Sequence, residues 1–397
     1  YYNRINYYES RSQQQPTEMI AQLRDEIHER EQQLARLDRR LRLEDIEYAS
    51  LHTAPRMETR DVRQPLADDE TLLEYYIVNG QVKAFAISRD AVSVFNDLTT
   101  VEATAPLLQW LKFNFDQFNL SERYGQAYLN NIESLTRQYL EKLYAALVAP
   151  IEPWLEDKKL VVVPHDLLHY VPFHALYDGQ HYLIDRHEIS YCPSASVYKL
   201  CLDKARTSRS DGQVLIVGVP DAAAPLIEAE VAVLESLWDE VEVLRGAEAT
   251  LSQLKRSAAG CRLLHLATHS VFRRDNPMLS ALKLSDTWLS LYDIFKLNLP
   301  ADLVTLSACE TGMNEVFPGD ELFGLMRGFL YAGVPSLIVS SWVVNDRSTA
   351  ELMRWLYTGL REGLSKRAAL RQAQLRVKEE YPYPYYWAPF ILMGAPV

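Results

Sequence analysis

CRLLHLATHS (residues 261–270) and DLVTLSACETG (302–312) decide the fold. Each is a continuous apolar run rather than an alternating one, the pattern of a strand buried on both faces of a sheet. Each also ends in a side chain capable of chemistry, His269 and Cys309. The spacing between them leaves room for one excursion between neighbouring strands. Both groups are therefore expected just past the carboxyl ends of adjacent parallel strands, in the crevice where open α/β sheets bind their ligands.

The pattern continues outward from these runs. VLIVGVP (214–220) and VEVL (241–244) read as strands, and residues 229–237 and 251–258 as helices. Downstream come a helix over 321–332, the strand PSLIVSS (335–341), and helices over 348–363 and 366–379. Apolar strands separated by amphipathic helices predict an α/β unit over 211–397, with a parallel-rich sheet covered by helices. A second α/β unit is expected over 71–210. It opens with LLEYYIVNGQVKAFAIS (72–88), where Asn79-Gly80 between two β-rich runs predicts a tight hairpin. Helices over 107–120 and 134–147 and the strand LVVV (160–163) follow.

Residues 54–70 are polar, include Pro55 and Pro65, and read as a linker. Residues 1–53 form a helical arm, the possible end of a helical-repeat or coiled-coil region. In it Ile20, Ile27, Leu34 and Leu41 repeat every seven residues, with Leu23 and Leu37 between them and Arg30 and Glu44 interrupting the seam. The stripe fits either packing on the protein's own helices or an intermolecular coiled coil.

The balance of 41 basic and 53 acidic residues gives a net charge of −12, which disfavours non-specific nucleic-acid binding. With 48% hydrophobic and 24% charged residues in 397, the chain has the composition of folded domains that need no disulfide staples. The longest apolar run, VPSLIVSSWVV (334–344), falls short of the roughly 20 residues that span a bilayer. The opening YYNRINYYES carries no apolar signal core, and without an initiator methionine upstream sequence is expected before Tyr1. A cytoplasmic location with reduced thiols is the expectation. Cys192, Cys201, Cys261 and Cys309 form no CxxC pair.

A cysteine beside a histidine is the minimal apparatus for acyl transfer. The imidazole takes the thiol proton and the thiolate attacks a carbonyl. The Cys309 amide is placed to hold the developing oxyanion, and Gly312 lets the chain turn after the nucleophile. Taken singly, each residue also has a plainer reading, the cysteine as a small buried hydrophobe and the histidine as a satisfied structural group. Five histidines, His165, His169, His174, His181 and His187, raise the question of a metal. HDLLH (165–169) lacks the glutamate of HExxH and lies between Pro164 and Pro172, so no metal or other cofactor is expected. GxGxxG, P-loop and GxSxG motifs are also missing.

Together with VVPHDLLHYVPFHALYDGQHYL (162–183), ISYCPSASV (189–197), GDELFGLMRGFLYAGVPSLIVSSWVVND (319–346) and YYWAPFILMG (385–394), the two opening runs resemble the CHAT domain. This is a separase-related group of caspase-like cysteine peptidases, often joined to tetratricopeptide repeats. The resemblance runs from about Leu72 to the C-terminus. It implies a caspase-like fold in which a degenerate first unit supports an active second one. It implies His269 as general base and Cys309 as nucleophile of a dyad, with backbone amides of Ser270 and Cys309 as the oxyanion hole. Ser270 stands where many such peptidases have glycine. The resemblance further implies protein substrates, control by a regulatory partner or an attached helical-repeat sensor, and a role in bacterial stress or defence. A catalytically silent interaction scaffold is the alternative.

In caspase-like folds the edge corresponding to PSLIVSSW pairs with an extended peptide substrate. Trp342 is a candidate pocket wall or else rim packing. Asp320, Glu321 and Asp346 are candidates for attracting a basic side chain, although acids at helix starts also serve as caps. Neither membrane association nor direct nucleic-acid binding is expected.

Overall fold

The computed structural model describes residues 57–397 apart from 121–125, 156–157, 208–211, 221–226, 272–279, 311–325 and 327, together with Glu26, Glu29 and Gln33 of the arm. At 119–120, 126–127, 308–310 and 346 it describes the backbone alone. The heptad stripe therefore lies outside the described residues, although Glu26, Glu29 and Gln33 are helical and exposed.

Among the described residues thirteen strands form one sheet. Strands β1 (Glu70–Val78), β2 (Gln81–Ile87) and β3 (Val92–Thr100) make an antiparallel meander at one end. Its first turn is the expected two-residue hairpin, with Asn79 at φ +51° and Gly80 at φ +76°. Both lie in the left-handed region that such a turn requires of its central residues. The meander joins β4 (Lys159–Val163) and β5 (Ile189–Tyr191) through parallel pairing of β1 with β4 and β4 with β5.

The other half contains β6 (Gln213–Gly218), β7 (Val241–Arg245), β8 (Cys261–Val271), β11 (Leu303–Glu310) and β12 (Ser336–Ser340), ordered β7-β6-β8-β11-β12 and all parallel. Two short strands, β9 (Ala281–Lys283) and β10 (Trp288–Ser290), continue the edge beyond the end of β6. The last strand, β13 (Phe390–Gly394), joins the halves, antiparallel to β12 and parallel to β5. The sheet thus holds two parallel blocks running in opposite directions, and their carboxyl ends open at opposite edges.

Helices α1 (Val101–Leu120), α2 (Gln126–Leu147), α3 (Ala195–Ala205), α4 (Ile227–Glu235), α5 (Leu251–Ala258), α6 (Asp346–Arg361) and α7 (Lys366–Glu380) cover the sheet. Several begin where a side chain caps the free amides. Thr250 Oγ1 accepts from the Gln253 amide, Asn345 Oδ1 from Arg347 and Ser348, and Ser365 Oγ from Ala368. The architecture is mixed α/β with a mainly parallel sheet.

The register divides the central strands into two faces. Leu264, Leu266, Val304, Leu306, Leu337, Val339, Ile391 and Met393 share one, buried face. The positions of His265, His269, Thr305, Ser307 and Cys309 share the other. Fully burying an aliphatic side chain contributes roughly 1.5–3 kcal/mol, so slipping this register by one residue would exchange an apolar layer for a polar one.

Several local expectations change. Helix α1 begins at Val101 and contains Pro106 at its sixth position, where the ring removes the bond to the Glu102 carbonyl that an amide there would make. The stretch read as a linker contains the short helix Thr59–Arg63, after which Leu66 is buried. PSLIVSS does not present an edge. The apolar FILMG run of β13 pairs along it from Ser336 to Ser340, so no extended peptide can add there.

Candidate active site

His269 and Cys309 lie within strands rather than just beyond them. β8 runs to Val271 because β9 pairs with Ser270 and Val271 after β6 has ended at the level of Ala267. β11 runs beside it to Glu310. In the parallel ladder Cys309 is the register partner of His269, and Glu310 that of Ser270. Neighbouring strands lie about 4.8 Å apart, so the backbone sets the positions of His269 and Cys309 side by side on one face of the sheet. His269 is 2% exposed, and Ser270 is fully buried between Glu310 and Leu282.

Trp342 follows the end of β12, but its ring leaves the dyad's face. It stacks on Phe115 of α1 at 4.4 Å between centroids, and its indole N–H donates to the Tyr385 carbonyl at 3.1 Å. There it borders a cavity of ≈ 70 Å³ lined also by Leu111, Phe115, Tyr191, Ile391 and Met393. Ile391 and Met393 belong to the sheet face opposite His269, so this pocket is not on the dyad's side. Asp346 opens α6 next to its cap Asn345. Asp320 and Glu321 lie outside the described residues.

The remaining thiols are structural in kind. Cys192, Cys201 and Cys261 are free and buried. Burial pushes the Cys192 thiol well up and the Cys261 thiol to about 11, so both stay protonated at neutral pH.

The histidines after β4 are mostly engaged one by one. His165 Nδ1 accepts from the Ile77 amide at 3.3 Å, and the His187 ring lies 2.8 Å from the Lys158 carbonyl. His174 bridges Tyr191 and the Ala388 carbonyl, both at 2.8 Å. Among the described residues no group of three or more His, Cys, Asp or Glu side chains is arranged to hold a metal ion. Among the same residues no helix is long and apolar enough to cross a membrane.

A polar cluster that the sequence reading passed over lies on the face of β8 and β11 that carries His269 and the position of Cys309. Glu230 of α4, 5% exposed, places Oε1 3.0 Å from His265 Nε2, and its Oε2 accepts from the Ser307 hydroxyl at 3.1 Å. Nδ1 of the fully buried His265 lies 3.1 Å from the Tyr357 hydroxyl of α6. The available signal was a histidine inside LLHLA and a serine inside VTLSA, polar residues interrupting otherwise apolar strands.

The CHAT domain sequence model matches residues 137–395. Tetratricopeptide repeat protein 28 of Homo sapiens is 24% identical over 332 residues, covering 66% of this chain and 13% of that protein. The protein of the same name from Mus musculus is 25% identical over the same shares. The chain thus spans 13% of the length of these curated relatives. Two crystal structures of the Saccharomyces cerevisiae separase–securin complex superpose with TM-scores of 0.60 and 0.59 at 10% identity, covering 89% of this chain and 31% of theirs. At that identity the likeness is one of fold.

Proposed function

The chain belongs to the CHAT-domain family, and from that premise we propose that it is a cysteine endopeptidase working through His269 and Cys309. The observation that carries this reading is the direct register pairing of these residues on adjacent parallel strands. In the proposed reaction His269 takes the Cys309 proton and Sγ attacks the scissile carbonyl, while the backbone amides of Ser270 and Cys309 receive the oxyanion. Collapse breaks the C–N bond, and the imidazolium gives its proton to the departing amine. His269 then removes a proton from water, whose oxygen attacks the thioester and frees the acid and the thiol.

Asp320, Glu321 and Asp346 are proposed to favour a basic side chain before the cut, whereas Trp342, packed on Phe115 over the opposite face of the sheet, takes no part in that pocket. Residues 71–210 are proposed to support the active unit 211–397, and the arm over 1–53 to connect to a regulatory helical-repeat module. The relatives named as tetratricopeptide repeat proteins support that connection. The proposed setting is a cytoplasmic stress or defence response.

A second reading, a caspase-like interaction scaffold without catalysis, is favoured by one observation, the 2% exposure of His269. Mass spectrometry of new protein termini in a cell extract separates the two. The peptidase produces a set of termini that is lost in both Cys309→Ala and His269→Ala. Equal sets from the parent and both variants sink the dyad, and no new termini from any of the three favours the scaffold.

A further inference from the structure

We infer that Glu230 and Ser307 are positioning residues that hold β8 and β11 in the register which sets His269 opposite Cys309. The inference rests on the peptidase reading and adds to it a device that keeps the pair aligned.

Glu230 touches both dyad strands at once. Its Oε1 meets His265, four residues before His269 on β8, and its Oε2 accepts from Ser307, two residues before Cys309 on β11. By the period of two along a strand, all four positions fall on one face of the sheet. The Tyr357 hydroxyl donates to His265 Nδ1 and the Ser307 hydroxyl to Glu230 Oε2, while His265 Nε2 faces Glu230 Oε1 at 3.0 Å without the angle of a hydrogen bond. Helices α4 and α6 thereby both grip the strands that carry the dyad.

Fold stability alone does not call for such a cluster. Replacing a buried ionic group by packed apolar residues is often neutral or stabilising, and register specification is the best-attested use of keeping one. Here register has a consequence for chemistry. A one-residue slide of β11 along β8 would remove Cys309 from His269 and turn its strand position to the other face. The apolar layer on the opposite face resists that slide as well, and a carboxylate set against His265 of one strand and Ser307 of the other adds a contact made in one register only.

The test reads the rate constant for alkylation of Cys309 by iodoacetamide at neutral pH, resolved from the other three cysteines by peptide mass spectrometry, with melting temperature measured alongside. His269→Ala is expected to slow alkylation. Ser307→Ala and Glu230→Ala are expected to slow it at least on the order of tenfold, since misplacement by about 1 Å can cost up to ~10²-fold. Ser307→Thr, which keeps the hydroxyl, restores the rate to within about threefold. Leu306→Val, a small cavity on the opposite face of β11, lowers the melting temperature without slowing alkylation. If Glu230→Ala does not fold, Ser307→Ala with its threonine rescue decides alone. Should His269→Ala slow the reaction while Ser307→Ala leaves it at the parental rate, the positioning role is overturned and the dyad stands. Equal slowing by Ser307→Ala and Leu306→Val also overturns it, by reducing the effect to stability. Should His269→Ala itself leave the rate unchanged, the peptidase reading fails first.

Discussion

His174 is held at both ring nitrogens, Nε2 donating to the Ala388 carbonyl and Nδ1 accepting from the Tyr191 hydroxyl, each at 2.8 Å. That pairing suits the neutral ring, and burial of the site lowers its pKa from 6.5 to about 4. Between those values the unfolded chain binds a proton that the folded chain refuses. Stability from this residue is therefore complete above about pH 6.5 and is lost as pH falls toward 4, by on the order of 3 kcal/mol. His187 is shifted in the same direction by burial and adds to the same acid arm. Denaturant melts of the parent and of His174→Gln between pH 4.5 and 7.5 check this. The variant is expected to be less stable at pH 7.5 and to lose about one proton's worth of the slope, ~1.4 kcal/mol per pH step. A parallel curve for the variant would assign the acid arm to other groups. The CHAT resemblance indicated only a supporting role for this histidine block. The two bonds that neutralise His174 depend on residues far along the chain, which spacing alone cannot reveal.

Two glycines show how elements differ in what they tolerate. Gly80 closes the β1–β2 hairpin at φ +76° with open space where a Cβ would stand. Gly394 ends β13 at φ +91°, and a Cβ there would collide with the Pro335 carbonyl oxygen and crowd Met326 and Cys201. Gly80→Ala meets only the left-handed backbone penalty and is expected to cost about 1–2 kcal/mol. Gly394→Ala adds overpacking and is expected to cost about 3 kcal/mol or more. Urea unfolding of the two variants measures the ordering, and equal costs would mean that β13 yields to fit the methyl group. The contrast also marks what could be read beforehand. Asn79-Gly80 announces its turn locally, and the long apolar runs announce β8, β11 and β12. FILMG follows a tyrosine- and proline-rich stretch with no period of its own. Its place between β12 and β5 depends on partners some fifty and two hundred residues away in sequence. The lengthening of β8 past His269 is equally non-local, since it depends on the three-residue strand β9, too short to register as a pattern. The two candidate residue types were therefore legible, whereas their position inside the ladder and the carboxylate beside their strands were not.

At the scale of the whole molecule, the two oppositely directed blocks are joined by β13 and also by a buried ion pair. Arg367, in the first turn of α7, donates from Nη1 to Glu70 Oε1 at 2.8 Å, and the Tyr198 hydroxyl donates to Glu70 Oε2 at 3.0 Å. Both charged side chains are nearly inaccessible, at 6% and 5%. Glu70 opens β1, whereas α7 leads into the segment that ends in β13, so the pair ties the first strand of the sheet to the end of the chain. Removing one partner leaves the other charge buried and uncompensated, which costs about 3–5 kcal/mol, while an apolar replacement of both is often neutral. Arg367→Ala is accordingly expected to be strongly destabilising, and the double change Arg367→Met with Glu70→Leu to recover most of the loss. If the halves unfold as one body through the continuous sheet, tryptophan fluorescence and far-ultraviolet circular dichroism will report coincident midpoints in Arg367→Ala as in the parent. Separated midpoints would instead show that residues 71–210 can loosen while β8 and β11 stay paired. That would leave the alignment proposed for His269 and Cys309 to β8, β11 and Glu230.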